Sequence, residues 1–451
     1  MTWRFGVRGW KPFLASVVLF PLEASAQAER DKSYVLPAVE IVVFDAMLNL
    51  FDRLVLGSAY QTSLQSIKDN LNSRWVVEND PFEINQFGHP YQGSMYHGFA
   101  RSAGLNFWTS LGYTFAGSAL WEVAGETTPP SWNDQIASGI AGSFLGEALF
   151  RVASLILETG PSSPALDRRL VTVATSPSLA TTRRISNRFD AIYPSRDAAY
   201  YRRIHIGASG TTHTQGAAAV VLQPTEGVFD VSMEYGLPGK DGYEYARPFD
   251  YFSMQATATT GSGLESVLLR GLLIGHNYDW GDTYRGVWGF YGNYDYIAPQ
   301  LFRVSSTALA LGTTAEWQPS GAFALQGTAL AGAGFAAVGA VTNVDPDDYH
   351  YGIAPQALLA SRLIFSDRAA LDLSGREYFV SNVAGTSGHD NIFRLDAAFT
   401  MRFHQQQAIA LRYLLSRRDA FFPGVGHRTQ LRGTLGVFYT MLGHDRFGSA
   451  R

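Results

Sequence analysis

Between residues 85 and 101 the chain reads Asn85-Gln-Phe-Gly-His-Pro-Tyr-Gln-Gly-Ser-Met-Tyr-His-Gly-Phe-Ala-Arg101, with hydrogen-bonding and titratable side chains crowded among glycines more densely than elsewhere. Histidine moves protons near neutral pH, and arginine grips carboxylates and phosphates with a planar fork of donors. Pro90 after His89 suits the first turn of a helix, where a missing N–H costs nothing. On that helix Gly93, Tyr96, His97, Ala100 and Arg101 share one side at three- and four-residue spacing, which brings His97 near Arg101. The chemistry available is acid–base. His89 or His97 is the candidate general base, Glu122 or Glu147 orients it, and Arg101 holds an anionic group. Asn85, Gln86, Tyr91, Tyr96, Asp134 and Arg151 complete the candidate binding set. Unpaired charges inside packed helices are costly, so His89, His97, Arg101, Glu122 and Glu147 are expected to form one cluster. The alternative is a buried polar network at the root of a helical hairpin, with Glu147 and Arg151 as an ordinary i,i+4 ion pair.

Other chemistries find little support. There is no Gly-x-Ser-x-Gly elbow and no cysteine, and Gly93-Ser94 is too short a match to a nucleophile motif. His89 and His97 lie outside any His-Glu-x-x-His pattern, so no metal or cofactor is expected. Asp345-Pro-Asp-Asp348 reads as an acidic turn before it reads as a calcium loop.

The elements that must position these side chains begin after an export signal. Arg4, Arg8 and Lys11 precede the apolar run Phe13–Phe20 and then Ala24-Ser-Ala26, the order of a secretory signal peptide over residues 1–26. Its removal takes away three basic residues and one acidic one and shifts the net charge from −4 to about −6. Mild acidity argues against nucleic acid as a partner. With no cysteine, stability must come from a large core or a closed hydrogen-bonded sheet, although an oxidising compartment permits disulfides. Aromatic residues make up 13% of the chain, and charged residues only 16%.

A helical module is expected over residues 27–158. Tyr34–Leu56 repeats apolar residues with helical periodicity and carries Glu40, Asp45, Asp52 and Arg53, too many charges for a membrane span. It reads as an amphipathic helix packed on its neighbours. Leu105–Gly125 and Trp132–Glu158 are further helical runs, joined by a turn with Pro129-Pro130, and Ser131 or Asn133 caps the second. Gly139, Gly142, Ser143 and Gly146 form a small-residue stripe that lets helices approach closely. Both runs near the ~20 residues of a bilayer span, but Glu122, Glu147 and Arg151 would each cost roughly 2.5–3.5 kcal/mol at a helix centre in lipid, so enclosure by protein is expected.

Residues 159–199, rich in Pro, Ser, Thr and Arg, read as a linker. From Tyr200 to residue 443 the period becomes two. Phe229, Val231, Met233 and Tyr235 alternate with Asp230, Ser232 and Glu234, and Phe393 to Phe403 alternate with Arg394, Asp396 and Arg402. Such segments, separated by Gly, Asp, Asn and Pro turns, are the mark of a transmembrane antiparallel β-barrel. About twelve strands are expected, starting near residues 201, 228, 252, 264, 287, 304, 323, 353, 369, 393, 409 and 431. A soluble sandwich alternates too, but here charges keep to one parity and aromatics gather at segment ends.

The motif Asn85–Arg101, together with Trp121-Glu122, Gly125-Glu126, Pro130-Ser-Trp-Asn-Asp134 and Gly146-Glu147, resembles the bacterial family of domain of unknown function 3943 over residues 75–157. The barrel is similar to those that accompany that domain. What the resemblance implies is an outer-membrane location; it carries over no reaction. One departure is that the chain runs on through His444–Arg451 and does not stop on a strand-ending aromatic. The expected partners are outer-membrane lipid or lipopolysaccharide and the outer-membrane assembly machinery. Two functions follow: a periplasmic or lumenal helical module that binds or modifies lipid, or a plugged solute channel or structural envelope protein without catalysis.

Overall fold

The computed structural model describes residues 32–55, 60–78, 80–158, 165–185, 198–216, 224–339, 349–381, 388–423, 426–443 and 447–449. The signal peptide and the Asp345–Asp348 turn lie outside them.

Alternation gives a closed antiparallel barrel in which each strand pairs with its sequence neighbours and β1 closes on β12. The strands are β1 (Tyr200–Gln215), β2 (Thr225–Tyr235), β3 (Phe252–Thr259), β4 (Gly263–Trp280), β5 (Tyr284–Ile297), β6 (Val304–Ser320), β7 (Phe323–Gly339), β8 (Tyr349–Phe365), β9 (Ala369–Ser381), β10 (His389–His404), β11 (Gln407–Phe422) and β12 (Gly426–Leu442). All twelve expected segments are present. At one end the chain enters β1 and leaves β12, and tight turns such as Gly321-Ala322 and Gln405-Gln406 join the strands. Short turns mark the periplasmic end of an outer-membrane barrel, so the opposite, loop end faces outward.

Parity separates wall from lumen. Asp295 of β5 meets Arg376 of β9 at 3.1 Å across the barrel, and Arg412 of β11 meets Asp230 of β2 at 3.4 Å. Similar ion pairs join Arg362 to Glu234 (2.9 Å), Arg394 to Glu265 (2.9 Å) and Arg418 to Asp390 (2.7 Å). Leu237 and Phe447 add an apolar floor with Tyr201, Ala324 and Leu442 at the turn end, where Gln326 also donates to Gly448 O at 2.7 Å. The lumen is therefore filled by side chains, and the cavity among Glu234, Arg270, Arg362 and Asp372 has a volume of about 100 Å³. The opposite parity, including Ile206, Phe229, Phe290, Leu311, Ile353, Met401, Ile409 and Val437, faces outward and is exposed. A closed sheet with an apolar exterior and a charged interior satisfies its backbone only within itself, as lipid requires. This is an outer-membrane β-barrel.

The helical region is α1 (Val35–Val55), α2 (Leu64–Asn72), α3 (His89–Ser102), α4 (Phe107–Ala124), α5 (Trp132–Asp134), α6 (Gly142–Glu158), α7 (Leu166–Thr175) and α8 (Pro177–Ile185). Two π-helical segments interrupt it: Ile84–Gly88 runs straight into α3, and Gln135–Ala141 joins α5 to α6. The helix expected to start at His89 therefore begins a π turn earlier. The stretch expected as a linker holds α7 and α8, and α8 packs against α3. Gly93 and Gly142 bring α3 and α6 into backbone contact, and a Cβ at either would collide with its neighbour. The glycines close the interface, in keeping with the close approach expected of the small-residue stripe.

The position of this module is the main correction to the sequence reading. Tyr294 and Tyr296 flank the inward Asp295 and so point outward; Tyr294 donates to Gln86 O at 2.6 Å, and Phe82 packs on Tyr296 with ring centroids 6.0 Å apart. Tyr349 and Tyr351 flank the inward His350, which approaches Asp390 at 3.2 Å, and both outward phenols meet helical residues. Phe144 of α6 lies against Gly292. The helices are thus mounted on the outer wall of the barrel. Among the described residues they neither plug the lumen nor hang beneath it. Ser33 N donates to Ala103 O at 3.0 Å, Asn49 donates to Gly125 O at 2.7 Å and Arg151 reaches Asp250 at 3.0 Å, so α1 and α4 run towards the loop end while α3 and α6 run back.

Helix α1 is built inside out. Glu40, Asp45 and Asp52 are buried, whereas Val39, Val42, Val43, Met47, Leu50, Phe51 and Leu54 are exposed, Leu54 at 79%. On α4 the exposed positions 108, 112, 116 and 120 are Trp, Gly, Ala and Leu, an apolar stripe at four-residue spacing.

Candidate functional site

The residues expected to form one cluster form two. The first centres on Glu147, which is fully buried on α6. Arg101 Nε donates to its Oε2 at 2.6 Å and Arg101 Nη2 to its Oε1 at 3.2 Å, while Arg151 Nε, four residues on, donates to Oε1 at 2.8 Å. His97 Nε2 lies 3.2 Å from Oε2. Arg101 also donates to Leu105 O and stacks on Phe150 at 4.8 Å, and Arg151 continues to Asp250 and to Pro248 O. A carboxylate offers about four lone-pair positions, and all are taken here. This group ties α3 to α6 and both to the β2–β3 connection. It leaves no vacant acceptor position on Glu147 for a substrate.

The second cluster lies at the other end of the module, since His89 and His97 are separated by ~12 Å of helix rise. Val76 and Ser131 form an isolated parallel bridge that holds the approach to α3 against the turn before α5. Asn133 locks Glu78 in place, donating to its carbonyl at 3.1 Å and accepting from its N–H at 2.9 Å. Ser131, the N-cap of α5, donates from its backbone N–H to Glu122 Oε2 at 2.7 Å and from Oγ to Asp134 Oδ2 at 2.5 Å. Glu126 accepts from Trp121 Nε1 at 2.5 Å and Thr128 Oγ1 at 3.1 Å. His89 Nε2 stands 4.0 Å from Asp134 Oδ1, and its Nδ1 is buried without a partner. Carboxylate oxygens of Glu78, Glu122 and Asp134 lie within 4.8 Å of one another. Burial, reinforced by Glu126 and Asp80, pushes the Glu78 carboxyl up to about 8, and burial likewise raises Glu126. A group of acids held partly protonated at neutral pH can give and take protons, or hold a cation.

The remaining candidates have other occupations. Asn85 Nδ2 donates to Tyr349 Oη at 2.7 Å and Gln86 Nε2 to Tyr351 Oη at 3.1 Å, so both dock the module on the barrel. Tyr96 Oη donates to Asp45 Oδ1 at 2.5 Å and accepts from Gln92 at 2.6 Å, anchoring α1. Tyr91 is 40% exposed and stacks on Phe87. Sequence reasoning missed Glu78, Glu126, Ser131 and Asn133 as members of the acidic group. Glu122 and Glu126 carried a signal, because like charges four residues apart repel unless a proton or cation intervenes.

These residues fall within one family model. Residues 74–178 match the model of the domain of unknown function DUF3943. The match takes in both clusters and runs on through α7 into the start of α8, past the boundary expected at residue 157. No curated protein matches the sequence. Among solved structures the chain is similar to a NanC porin (8% identity, TM-score 0.25), with 52% of this chain and 98% of that one covered. It is also similar to the outer membrane channel DcaP of Acinetobacter baumannii (8% identity, TM-score 0.26), with 54% and 97% covered.

Proposed function

We propose that the protein binds or modifies lipid in the outer membrane through its N-terminal helices, with the barrel as their anchor. The observation that carries this reading is α1, whose buried face is acidic and whose exposed face is apolar over 21 residues. A helix facing water has the reverse polarity. Acyl chains are the surroundings this face suits, and they already cover the outer wall against which the module packs. Trp75 and Trp132 stand together at the loop end with ring centroids 5.0 Å apart, and Trp132 is 57% exposed. Such aromatics favour the headgroup level of a bilayer. The acidic cluster beside them lies at the depth of lipid headgroups, and lipopolysaccharide or phospholipid is the substrate class it suits.

In this reading Glu122, Asp134, Glu78 and His89 are the reactive group, with acid–base work on an ester or phosphoester bond as the chemistry. His97, Glu147, Arg101 and Arg151 are positioning residues that hold α3 and α6. Export and folding of the closed barrel would use the outer-membrane assembly machinery. The filled lumen speaks against the plugged-channel alternative. The test is a lipid and lipid A mass profile of a deletion strain complemented with the wild-type gene, Glu122→Gln or His89→Gln. The reading expects an altered acyl or phosphate pattern that wild type restores and both variants, at normal protein level, do not. A profile unchanged by deletion overturns it.

A further inference from the structure

Many buried carboxylates in this protein have a guanidinium beside them. Glu147 has two, and in the lumen Asp230, Asp295, Glu265 and Asp390 each have one. Glu78, Glu122, Glu126 and Asp134 are gathered in one place, and among the described residues no Lys or Arg forms an ion pair with any of them, a lack they share with the more widely spaced Glu40, Asp45 and Asp52 of α1. Four acids gathered without a cation, three of them buried, repel one another and lose hydration.

The second observation is independent of the acids. His89 is 5% exposed, its Nδ1 is buried with no partner, and its Nε2 faces Asp134 Oδ1 at 4.0 Å. That gap is too long for a hydrogen bond. Ligand atoms at ~2.1 Å on one tetrahedral ion stand about 3.4 Å apart, a separation this pair reaches by a modest turn of the imidazole. Oxygens of the three carboxylates lie within 4.8 Å of one another and converge on the same point by side-chain rotation.

The backbone also prepares the place. His89 follows the π segment Ile84–Gly88 and Asp134 precedes the π segment Gln135–Ala141. Single π turns re-aim side chains and are common at functional sites. Ser131 and Asn133 fix the carboxylates from outside: Ser131 holds Glu122 and Asp134 Oδ2, and Asn133 Nδ2 donates to Asp134 Oδ1 at 3.0 Å. Partners of this kind orient the ligands of metal centres.

We propose that Glu78, Glu122, Asp134 and His89 bind one divalent first-row transition-metal ion, of the class of Zn²⁺, Mn²⁺ or Fe²⁺. Three carboxylate oxygens and one imidazole nitrogen suit these ions better than calcium, which takes six to eight oxygens. Sites of this composition are built in helical bundles from facing helices, and here the ligands come from α3, α4, α5 and the strand-like lead-in at Glu78. Half-buried Glu78 is the route of entry. Binding of the ion stands independently of the lipid reading; only its use in turnover rests on it.

The test uses full-length protein extracted from outer membranes in detergent, stripped with chelator and titrated with Mn²⁺ or Zn²⁺ alone. Bound metal is counted by mass spectrometry, and affinity is read by calorimetry. About one ion per chain is expected, with affinity lowered at least tenfold in His89→Gln and in Glu122→Gln. Co²⁺ loaded into the wild type gives a second readout that needs no variant: a visible d–d spectrum with one nitrogen ligand. Wild-type protein that retains no stoichiometric ion and shows no Co²⁺ spectrum overturns the proposal. So does a His89→Gln protein, with normal heat-modifiable mobility, that binds as tightly as wild type. A metal-binding protein whose deletion leaves the lipid profile unchanged would refute the lipid reading and leave this one standing.

Discussion

Substitution of Glu147 by Gln removes the one negative charge on which Arg101, Arg151 and His97 converge. Arg151 keeps Asp250 at 3.0 Å, but Arg101, only 4% exposed, loses the carboxylate to which both its Nε and its Nη2 donate. Breaking a buried ion pair from one side costs about 3–5 kcal/mol, because the remaining charge stays desolvated without a partner. At roughly 2–4 °C per kcal/mol for a domain of this size, the helical module should melt about 6–20 °C lower. Arg101→Met should cost less, since Glu147 retains Arg151 and His97. The double variant Glu147→Met/Arg101→Met should recover much of the loss, as apolar replacement of a buried pair often does. The assay is near-ultraviolet circular dichroism on heating in detergent, which reads Trp108 and Trp121 in the module, beside gel mobility of the barrel. A Glu147→Gln protein that melts within about 2 °C of wild type, or a double variant no better than the single, would refute the account of this cluster as a lock.

Lys placed at Met47, which is 66% exposed, should hinder membrane assembly by about 2.5–3.5 kcal/mol if that position meets lipid, with lowered outer-membrane yield as the readout. The same change facing water would be neutral. In chelator-treated protein, burial raises the Glu78 carboxyl from 4.5 to about 8, so the folded module holds a proton that the unfolded chain has lost. Stability of the module should therefore fall as pH rises from about 5 to 8, and Glu78→Gln should flatten that slope; an unchanged slope counts against the acidic site. Planar-bilayer recordings should show no steady open pore, given the lumenal ion pairs and the floor of Leu237 and Phe447; a stable ohmic conductance would contradict the filled lumen.

The barrel was legible because alternation is a direct record of wall and lumen. Strands expected near Phe252, Val304, Phe323 and Ala369 begin at those residues, and the others begin one to five residues earlier, where turn residues hide the first pairs. The place of the helices was not legible. Tyr294, Tyr296, Tyr349 and Tyr351 have the spacing of an interfacial girdle, and nothing local shows that Gln86, Asn85 and Phe82 cover them. In α1 the acids at 40, 45 and 52 share a face, yet periodicity alone does not reveal which face meets protein. The single cluster failed on geometry: two histidines eight residues apart lie about two turns from each other along one helix, and each recruits the carboxylates at its own level. Glu147 with Arg151 was readable as a neighbouring pair, whereas Asp250, which completes it, comes from 99 residues further on.

In the proposed reading the N-terminal helices, α1 among them, sit in lipid on the outside of the barrel. Because the chain has no cysteine, a single one at position 47 accepts a nitroxide without background. In proteoliposomes, power-saturation electron paramagnetic resonance compares collision with oxygen, which concentrates in acyl chains, against collision with a water-soluble nickel chelate. The account predicts high oxygen and low nickel accessibility at Met47→Cys, matching a label on the barrel wall at Leu411→Cys; accessibility to nickel like that of an aqueous turn would contradict it.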